Sequence, residues 1–225
     1  MDIENTVRFL LAETENAIKT ICTENGNNYG IIFPPYSSLE NKQRKIRRSE
    51  QELRCIFIEQ FLKYRNSRTD KYDLINWHYS IETPTKAKYT SACKGNPSID
   101  GSRSGKIDLT LYENNNPVVF IEFKYGSLGK ANKNLEYDVI KLVAESSLAG
   151  GNCRGFSVNL IKQGGNALTR SEFNTYIEDA INNITGKYQN LSRLNPKEIK
   201  MLSHLNVDDL KKRISYKCIK LPDNP

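Results

Sequence analysis

The stretch GKIDLTLYENNNPVVFIEFKYG, residues 105–126, predicts a β-hairpin whose second strand ends in charged residues. Apolar and polar side chains alternate along residues 106–112, which is the pattern of a strand with one buried face. Turn-forming residues occupy 113–117, and residues 118–125 form a mostly apolar run with two charges near its end. Because ionisable groups are rarely buried without a partner or a purpose, this strand end is the first candidate for a functional site.

The register of this hairpin brings two carboxylates together. If Tyr112 faces Val118 across the loop, partner numbers sum to 230, and Asp108 faces Glu122 on one side of the sheet. Lys124 lies on that side as well, one pleat beyond Glu122. Opposed carboxylates repel each other unless a proton, a basic side chain or a bound cation intervenes. The alternative is a surface hairpin in which Lys124 neutralises Glu122 and Asp108 is solvated.

Two carboxylates beside a lysine are the residue types that metal-dependent phosphodiester hydrolysis requires. Mg²⁺ takes oxygen ligands from one or two carboxylates together with substrate phosphates. An ammonium group beside the ion orients a water molecule or stabilises charge on a phosphate in the transition state. The pattern of the hairpin therefore favours a hydrolytic metal site.

The rest of the sequence predicts an α/β fold with a mixed sheet flanked by helices. Ser49 and Glu52 form a capping box at the start of the helix that precedes the strands. A Lys/Ser/Gly-rich segment up to about residue 105 predicts a loop before the hairpin. The predicted helices are 3–24, 50–64, 133–148 and 172–185, with short ones near 196–212, and the further strands are 74–82, 154–162 and one around 214–218.

The hairpin resembles that of the PD-(D/E)XK nuclease superfamily, whose members share the restriction-endonuclease-like fold. The resemblance is carried by GKIDLTL and VVFIEFKYG, in which Asp108 is followed, after thirteen residues, by Glu-Phe-Lys at 122–124. The family core runs helix, three antiparallel strands, helix and a fourth strand that returns parallel. The elements predicted over residues 49–162 follow that order, and Ile107 stands where the motif has Pro.

The resemblance implies a Mg²⁺ site, with Mn²⁺ as a substitute. Asp108 and Glu122 would hold the ion, the main-chain carbonyl of Phe123 would help, and Lys124 would assist the attacking water. In many members a glutamate from the helix before the first strand joins the site. Glu50 is the residue chosen for that catalytic and metal-binding role, because its helical phase points it toward the sheet.

Which residues of the flanking helices join the site remains open at the level of the sequence. Glu50 can also be a first-turn acid favoured by the helix dipole, and Glu52 is the other candidate for the helix glutamate. In many relatives the helix after the motif strand also supplies polar residues to the site. Solvated helix positions are the favoured interpretation of its four candidates here, Lys133, Tyr137, Asp138 and Lys141.

The expected partner is DNA, with RNA as the less favoured alternative. A surplus of 33 basic over 26 acidic residues, +7 in net charge, is compatible with a polyanion. The resemblance implies an endonuclease similar to a type II restriction enzyme or a related defence nuclease, and a non-catalytic nucleic-acid-binding module is the alternative. Cutting both strands favours a homodimer. The basic residues expected to contact the backbone are Arg44, Lys45, Arg47, Arg48, Arg103, Lys106, Lys130 and Lys133.

Two parts are expected in one compact unit. Residues 1–48 form an N-terminal helical extension and basic loop, and residues 49–225 form the nuclease-like domain, with its core at 49–162 and C-terminal helices and a strand in 163–225.

No apolar run approaches the roughly 18 residues of a membrane span, and the N-terminus lacks a signal-peptide profile, so a cytoplasmic protein is expected. The five cysteines and two histidines occur singly, which argues against a zinc or disulfide framework.

Overall fold

A computed structural model describes residues 2–23, 30–31, 35–37, 44–46, 49–67, 73–89, 103–125, 133–161, 171, 174–175, 178–179, 182 and 211–220. The helices are α1 (Ile3–Thr23), α2 (Glu50–Ser67) and α3 (Lys133–Ala149). The strands are β1 (Pro35–Ser37), β2 (Arg44–Ile46), β3 (Trp77–Tyr89), β4 (Arg103–Glu113), β5 (Asn116–Tyr125), β6 (Arg154–Ile161) and β7 (Ile214–Lys220). None of the helices in these ranges has the length and apolar character needed to cross a membrane.

Strands β3 to β7 form one mixed sheet in the order β3-β4-β5-β6-β7. The first three are antiparallel, β6 runs parallel to β5, and β7 runs parallel to β6. A parallel pair needs a crossover connection, which α3 supplies between β5 and β6. The predicted α/β class with a mixed sheet flanked by helices is therefore confirmed. From α2 to β6 the elements also follow the predicted succession.

Different helices cover the two faces of the sheet. On one face α1 and α2 pack against the sheet in a continuous apolar core that includes Leu10, Phe57, Leu109 and Phe123. The rings of Phe57 and Phe123 lie 5.8 Å apart between centroids, which joins α2 to β5. On the other face lies α3, so α3 and the even-numbered side chains of β5 meet there.

The predicted turn of the hairpin is too wide. The structure closes the turn with Asn114 and Asn115, whose φ angles are 48° and 67°, a left-handed pair typical of two-residue hairpin turns. Tyr112 pairs with Pro117 rather than Val118, and a bulge then shifts the register. Beyond the bulge the predicted register is confirmed, because Thr110 faces Phe120 and partner numbers sum to 230 again.

The predictions near residues 35 and 83 are wrong, because each segment contains strand where a loop was expected. β3 runs to Tyr89, although its second half was expected to be a loop, because polar residues with a proline at position 84 do not resemble a buried strand. β3 lies at the edge of the sheet, where exposed polar residues and proline are tolerated. The segment around 35–46, expected to be a loop, contains the short antiparallel pair β1–β2.

The C-terminal part is described only in places. Within the predicted helix 172–185, the residues that the structure describes (174–175, 178–179 and 182) are helical. Residues 211–212 are helical as well, and the strand predicted around 214–218 is confirmed as β7. The remaining positions of 162–210, together with Arg47, Arg48 and Lys130, lie outside the described residues.

Close packing between β6 and α3 depends on Gly155. A Cβ atom at this position would lie 2.6 Å from Ile214 Cδ1 and 2.9 Å from Leu142 Cβ, inside van der Waals contact. We expect Gly155→Ala to lower the free energy of unfolding by about 1–3 kcal/mol, as overpacking does in dense cores. Urea unfolding measures the change. Gly30→Ala is the control, since its Cβ would meet the nearest atom at 3.7 Å, and equal losses in both variants would contradict this packing argument.

Candidate active site

The backbone is irregular on both sides of Asp108. Pairing between β4 and β5 runs as far as Leu109 and Ile121 and stops before Asp108. On the β3 side, Ile81 pairs with Leu109 and Thr83 pairs with Ile107, but Glu82 between them does not pair with Asp108. Glu82 has a φ of 51°. A positive φ is uncommon outside glycine, and such strain is enriched at functional sites. The predicted pairing of Asp108 with Glu122 is therefore not formed in the ladder. Instead, Asp108 Oδ2 accepts a hydrogen bond of 2.8 Å from the amide of Phe123.

Glu122 is buried and paired with a lysine from α3. Its side chain is 1% exposed, and its Oε1 accepts a hydrogen bond of 2.6 Å from Lys141 Nζ. The same ammonium group donates to the main-chain oxygen of Lys106 at 2.9 Å and lies 3.1 Å from Asp138 Oδ1. Asp138 and Lys141 were expected to be solvated, which is wrong, since they are only 3% and 5% exposed.

Lys124 lies between two further carboxylates. Its Nζ is 2.9 Å from Asp138 Oδ2 and 3.8 Å from Glu50 Oε1. Glu50 also accepts a hydrogen bond of 3.4 Å from the amide of Tyr125, so the start of α2 reaches the end of β5. Glu50, Lys124, Asp138, Lys141 and Glu122 thus form a row of alternating charges, which we call the ion-pair chain.

Of the two helix glutamates, only one belongs to this site in the structure. Glu50 contacts Lys124, as its predicted helical phase requires. Glu52 instead accepts a hydrogen bond from the hydroxyl of Ser49 at the start of α2, a side-chain contact in place of the side-chain-to-backbone bonds that the predicted capping box requires. The geometry therefore favours Glu50 over Glu52 as the glutamate that α2 brings to the site.

Burial and crowding shift the protonation equilibria of the ion-pair chain. Burial raises the pKa of Glu122 well above its ordinary value, and the Asp138 and Asp108 carboxylates raise it further, against the opposing effect of Lys141. Burial acts to lower the pKa of Lys124, but the carboxylates of Asp138 and Glu50 outweigh it, and the net shift is upward. Burial is likewise outweighed at Lys141, whose pKa is raised by Glu122 and Asp138. Both lysines therefore remain ammonium groups at neutral pH.

The neighbouring strand β6 places an amide under the site. Asn159 pairs with Lys124 in the parallel register and is fully buried, and its Nδ2 donates to Ser157 Oγ at 3.1 Å. Among the described residues no hydrogen-bond partner is present for Asn159 Oδ1. Sequence reasoning did not select Asn159, because a lone Asn inside a strand has no distinctive spacing.

The basic residues predicted to bind nucleic acid are placed only in part. Lys106 is exposed and its ammonium lies 2.6 Å from Glu82 Oε2. Arg44 and Lys45 lie on β2, Arg103 begins β4 and Lys133 begins α3, and the structure describes only their backbones. Arg54, which was not predicted, is nearly buried and donates to the main-chain oxygen of Asp108 at 3.4 Å.

The donor set of the site fits a hard cation. Three carboxylates (Glu122, Asp138 and Glu50) contact the two ammonium groups, and the charge of Asp108 acts on Glu122 as well, so four carboxylates meet two ammonium groups at the site. No group of three acidic, His or Cys side chains in the described ranges is arranged as a ready metal cluster. Mg²⁺ does not need one, because it keeps several waters and takes one or two protein carboxylates plus substrate phosphates.

Comparisons with protein-family models, with curated proteins and with solved structures found no significant match to this chain. The residues of the chain and their geometry therefore carry the functional argument. The strongest local feature is that Asp108 binds the amide between Glu122 and Lys124, next to the buried ion-pair chain.

Proposed function

We propose that the chain is a Mg²⁺-dependent endonuclease of the PD-(D/E)XK type that hydrolyses phosphodiester bonds in DNA. The observation that carries this proposal is the convergence of Asp108, Glu122 and Lys124 where β4 departs from regular pairing. These are the two carboxylates and the lysine that the motif requires, and they come from the two strands on which the motif is expected. The succession of elements from α2 to β6 also supports the proposal.

Asp108 and Glu122 would hold the ion, and each has one oxygen already engaged. Asp108 Oδ2 accepts from the Phe123 amide, and Glu122 Oε1 accepts from Lys141. Within the described part of the chain, these contacts orient the two carboxylates and leave the other oxygen of each without a hydrogen bond. When bound, Mg²⁺ would supply an activated water and neutralise charge on the scissile phosphate. The main-chain carbonyl of Phe123 is the further ligand that the motif implies.

Lys124 would act as a charged donor rather than as a base. Its raised pKa keeps the ammonium protonated at neutral pH. Asp138 at 2.9 Å and Glu50 at 3.8 Å lie on two sides of it and restrict the position of the ammonium group. A preorganised ammonium stabilises the charge that develops on a phosphate in the transition state and orients the attacking water. Glu50 is thus a positioning residue for Lys124 in this proposal.

DNA is the proposed substrate because the chain has a basic surplus and the hairpin resembles that of restriction endonucleases. Lysine and arginine contacts to phosphates are sequence-independent and strongly salt-dependent. The proposed contacts include Lys106, which precedes Asp108 by two residues on β4 and has an exposed ammonium group. Two active sites are needed for cutting both strands together, so a homodimer is the proposed assembly.

A nicking assay on supercoiled plasmid tests this function. We expect nicked and linear products with Mg²⁺ or Mn²⁺ and no cleavage with EDTA, because the carboxylates alone do not activate water. Restoring Mg²⁺ in excess of EDTA should restore cleavage. If the chain binds DNA but does not cleave it with any divalent ion tested, the result would contradict the proposed nuclease activity and favour the non-catalytic binding module. Cleavage of RNA but not DNA would contradict the proposed DNA substrate but agree with metal-dependent phosphodiester hydrolysis.

A further inference from the structure

Three oxygens surround the ammonium group of Lys141. Its Nζ lies 2.6 Å from Glu122 Oε1, 2.9 Å from the main-chain oxygen of Lys106 and 3.1 Å from Asp138 Oδ1. These oxygens come from β5, β4 and α3, so the ammonium joins three elements at one point. We call this arrangement the oxygen cage.

The oxygen cage has the ligand types of a hard-cation site. Ca²⁺ binds carboxylate and main-chain carbonyl oxygens at about 2.3–2.6 Å in adaptable geometry. The cage has distances of 2.6–3.1 Å around its centre, so its most distant oxygen would need to move inward by about half an ångström to hold such an ion. A lysine ammonium carries three donors, which matches the three oxygens in number. The Lys141 ammonium group therefore supplies a positive charge at the position that a bound ion would occupy.

Lys141 is too deeply buried for an ordinary surface ion pair. Its side chain is 6% exposed and that of Glu122 is 1% exposed, whereas the Lys211–Glu178 pair is 36% and 51% exposed. Removing two charges from water is costly and is offset only by close, well-directed contacts. Elsewhere on α3, the buried carboxylate of Glu145 is also held by close contacts, because it accepts hydrogen bonds from the amides of Lys86 and Ala87.

We propose that Lys141 is a built-in cation that fills the oxygen cage, so that the site binds one external ion fewer than its carboxylates would otherwise hold. This inference rests on the proposed metal site at Asp108 and Glu122. It assigns Glu122 Oε1 to Lys141 and leaves Oε2 for the external ion. Lys141 is then a positioning residue that aims Glu122 at the ion and keeps a second ion out.

Calorimetric titration with Ca²⁺ tests the cage directly, because it counts ions without requiring cleavage. We expect Lys141→Ala to bind one more Ca²⁺ than the wild-type chain and to show a larger rise in melting temperature when Ca²⁺ is added. Lys141→Arg retains a cation and should keep the wild-type count. Lys211→Ala, which breaks the exposed pair with Glu178, is the matched control and should also keep that count.

Equal Ca²⁺ counts in Lys141→Ala and the wild-type chain would overturn the inference. If Lys141→Ala does not fold even with Ca²⁺, the wild-type count decides, since two bound ions would overturn the inference and at most one agrees with it. A wild-type chain that binds no ion and cleaves no DNA would contradict the proposed function. The difference in count between the variants would still test the cage, so the two failures are distinguishable.

Discussion

Replacing Asp108 with alanine should lower Mg²⁺-dependent DNA cleavage by about a thousandfold or more, because a metal-binding carboxylate contributes several kcal/mol to the transition state. Lys124→Ala should cause a comparable loss through the missing ammonium. The fold should survive in Asp108→Ala, since this partly buried side chain loses one hydrogen bond, from Phe123, worth about 0.5–1.5 kcal/mol. Initial rates of plasmid nicking measure the effect.

Two exposed residues provide matched controls for these variants. Asp179→Ala and Lys63→Ala remove the same side-chain types from exposed positions outside the site. Both controls should cleave at close to the wild-type rate. Full activity in Asp108→Ala or in Lys124→Ala would contradict the site assignment, provided that circular dichroism shows a folded chain.

Replacing Lys141 with methionine should produce the largest loss of stability among single changes in the site. Methionine has a similar length but no charge, so Glu122 and Asp138 would remain buried without their shared cation. Breaking a buried pair in this way costs about 3–5 kcal/mol. Urea unfolding should show that loss, while Lys211→Met, at the exposed pair with Glu178, should cost less than about 1 kcal/mol.

A second substitution identifies the cause of that loss. Glu122→Gln combined with Lys141→Met removes the uncompensated charge and should recover a large part of the stability. A loss below about 1 kcal/mol in Lys141→Met alone would contradict the account of the buried pair. No recovery in the double variant would place the cost in packing rather than in charge.

The loss in Lys141→Met should also depend on pH. Glu122 already has a raised pKa, and removing Lys141 takes away the nearest charge that opposes the rise. A carboxyl group with a higher pKa in the folded state than in the unfolded state binds more protons when folded, so stability falls as pH rises between the two values. Lys141→Met should therefore be less destabilised near pH 5 than near pH 8. An equal loss at both pH values would contradict this linkage.

The hairpin could be predicted well because its pattern is local. Alternation of Ile107, Leu109 and Leu111 determines which face is buried, and a one-residue slip would turn that face to solvent. The turn was predicted too wide because Glu113 and Asn116 have turn-forming character yet pair with each other. The register recovered beyond the bulge, so Asp108 lies near the end of β5, but pairing stops at Leu109 and Asp108 contacts the amide of Phe123 rather than pairing with Glu122.

The extent of β3 could not be predicted in the same way. Its second half contains Pro84 and alternating small or polar residues, and it is a strand because β4 pairs with it at the sheet edge. Such pairing depends on the partner rather than on local propensity. Edge position is a property of the assembled sheet, so the sequence of β3 alone resembles a loop.

The α3 side of the site was missed for a related reason. Asp138, Lys141 and Glu145 are spaced three and four residues apart, which places them in one stripe beside the apolar face. That spacing is also common on solvated helices, so it does not reveal burial. They are buried because α3 packs its flank, as well as its apolar face, on β3, β4 and β5. A charged stripe directly beside an apolar stripe is the signal that could have identified them.

An anomalous difference map from crystals grown or soaked with Mn²⁺ tests the central claim most directly. The proposed site predicts a peak within about 2.5 Å of a carboxylate oxygen from both Asp108 and Glu122. Lys141 Nζ should remain at Glu122 Oε1, with no second peak in the oxygen cage. A map without a peak between Asp108 and Glu122, at Mn²⁺ concentrations that support cleavage, would contradict the account.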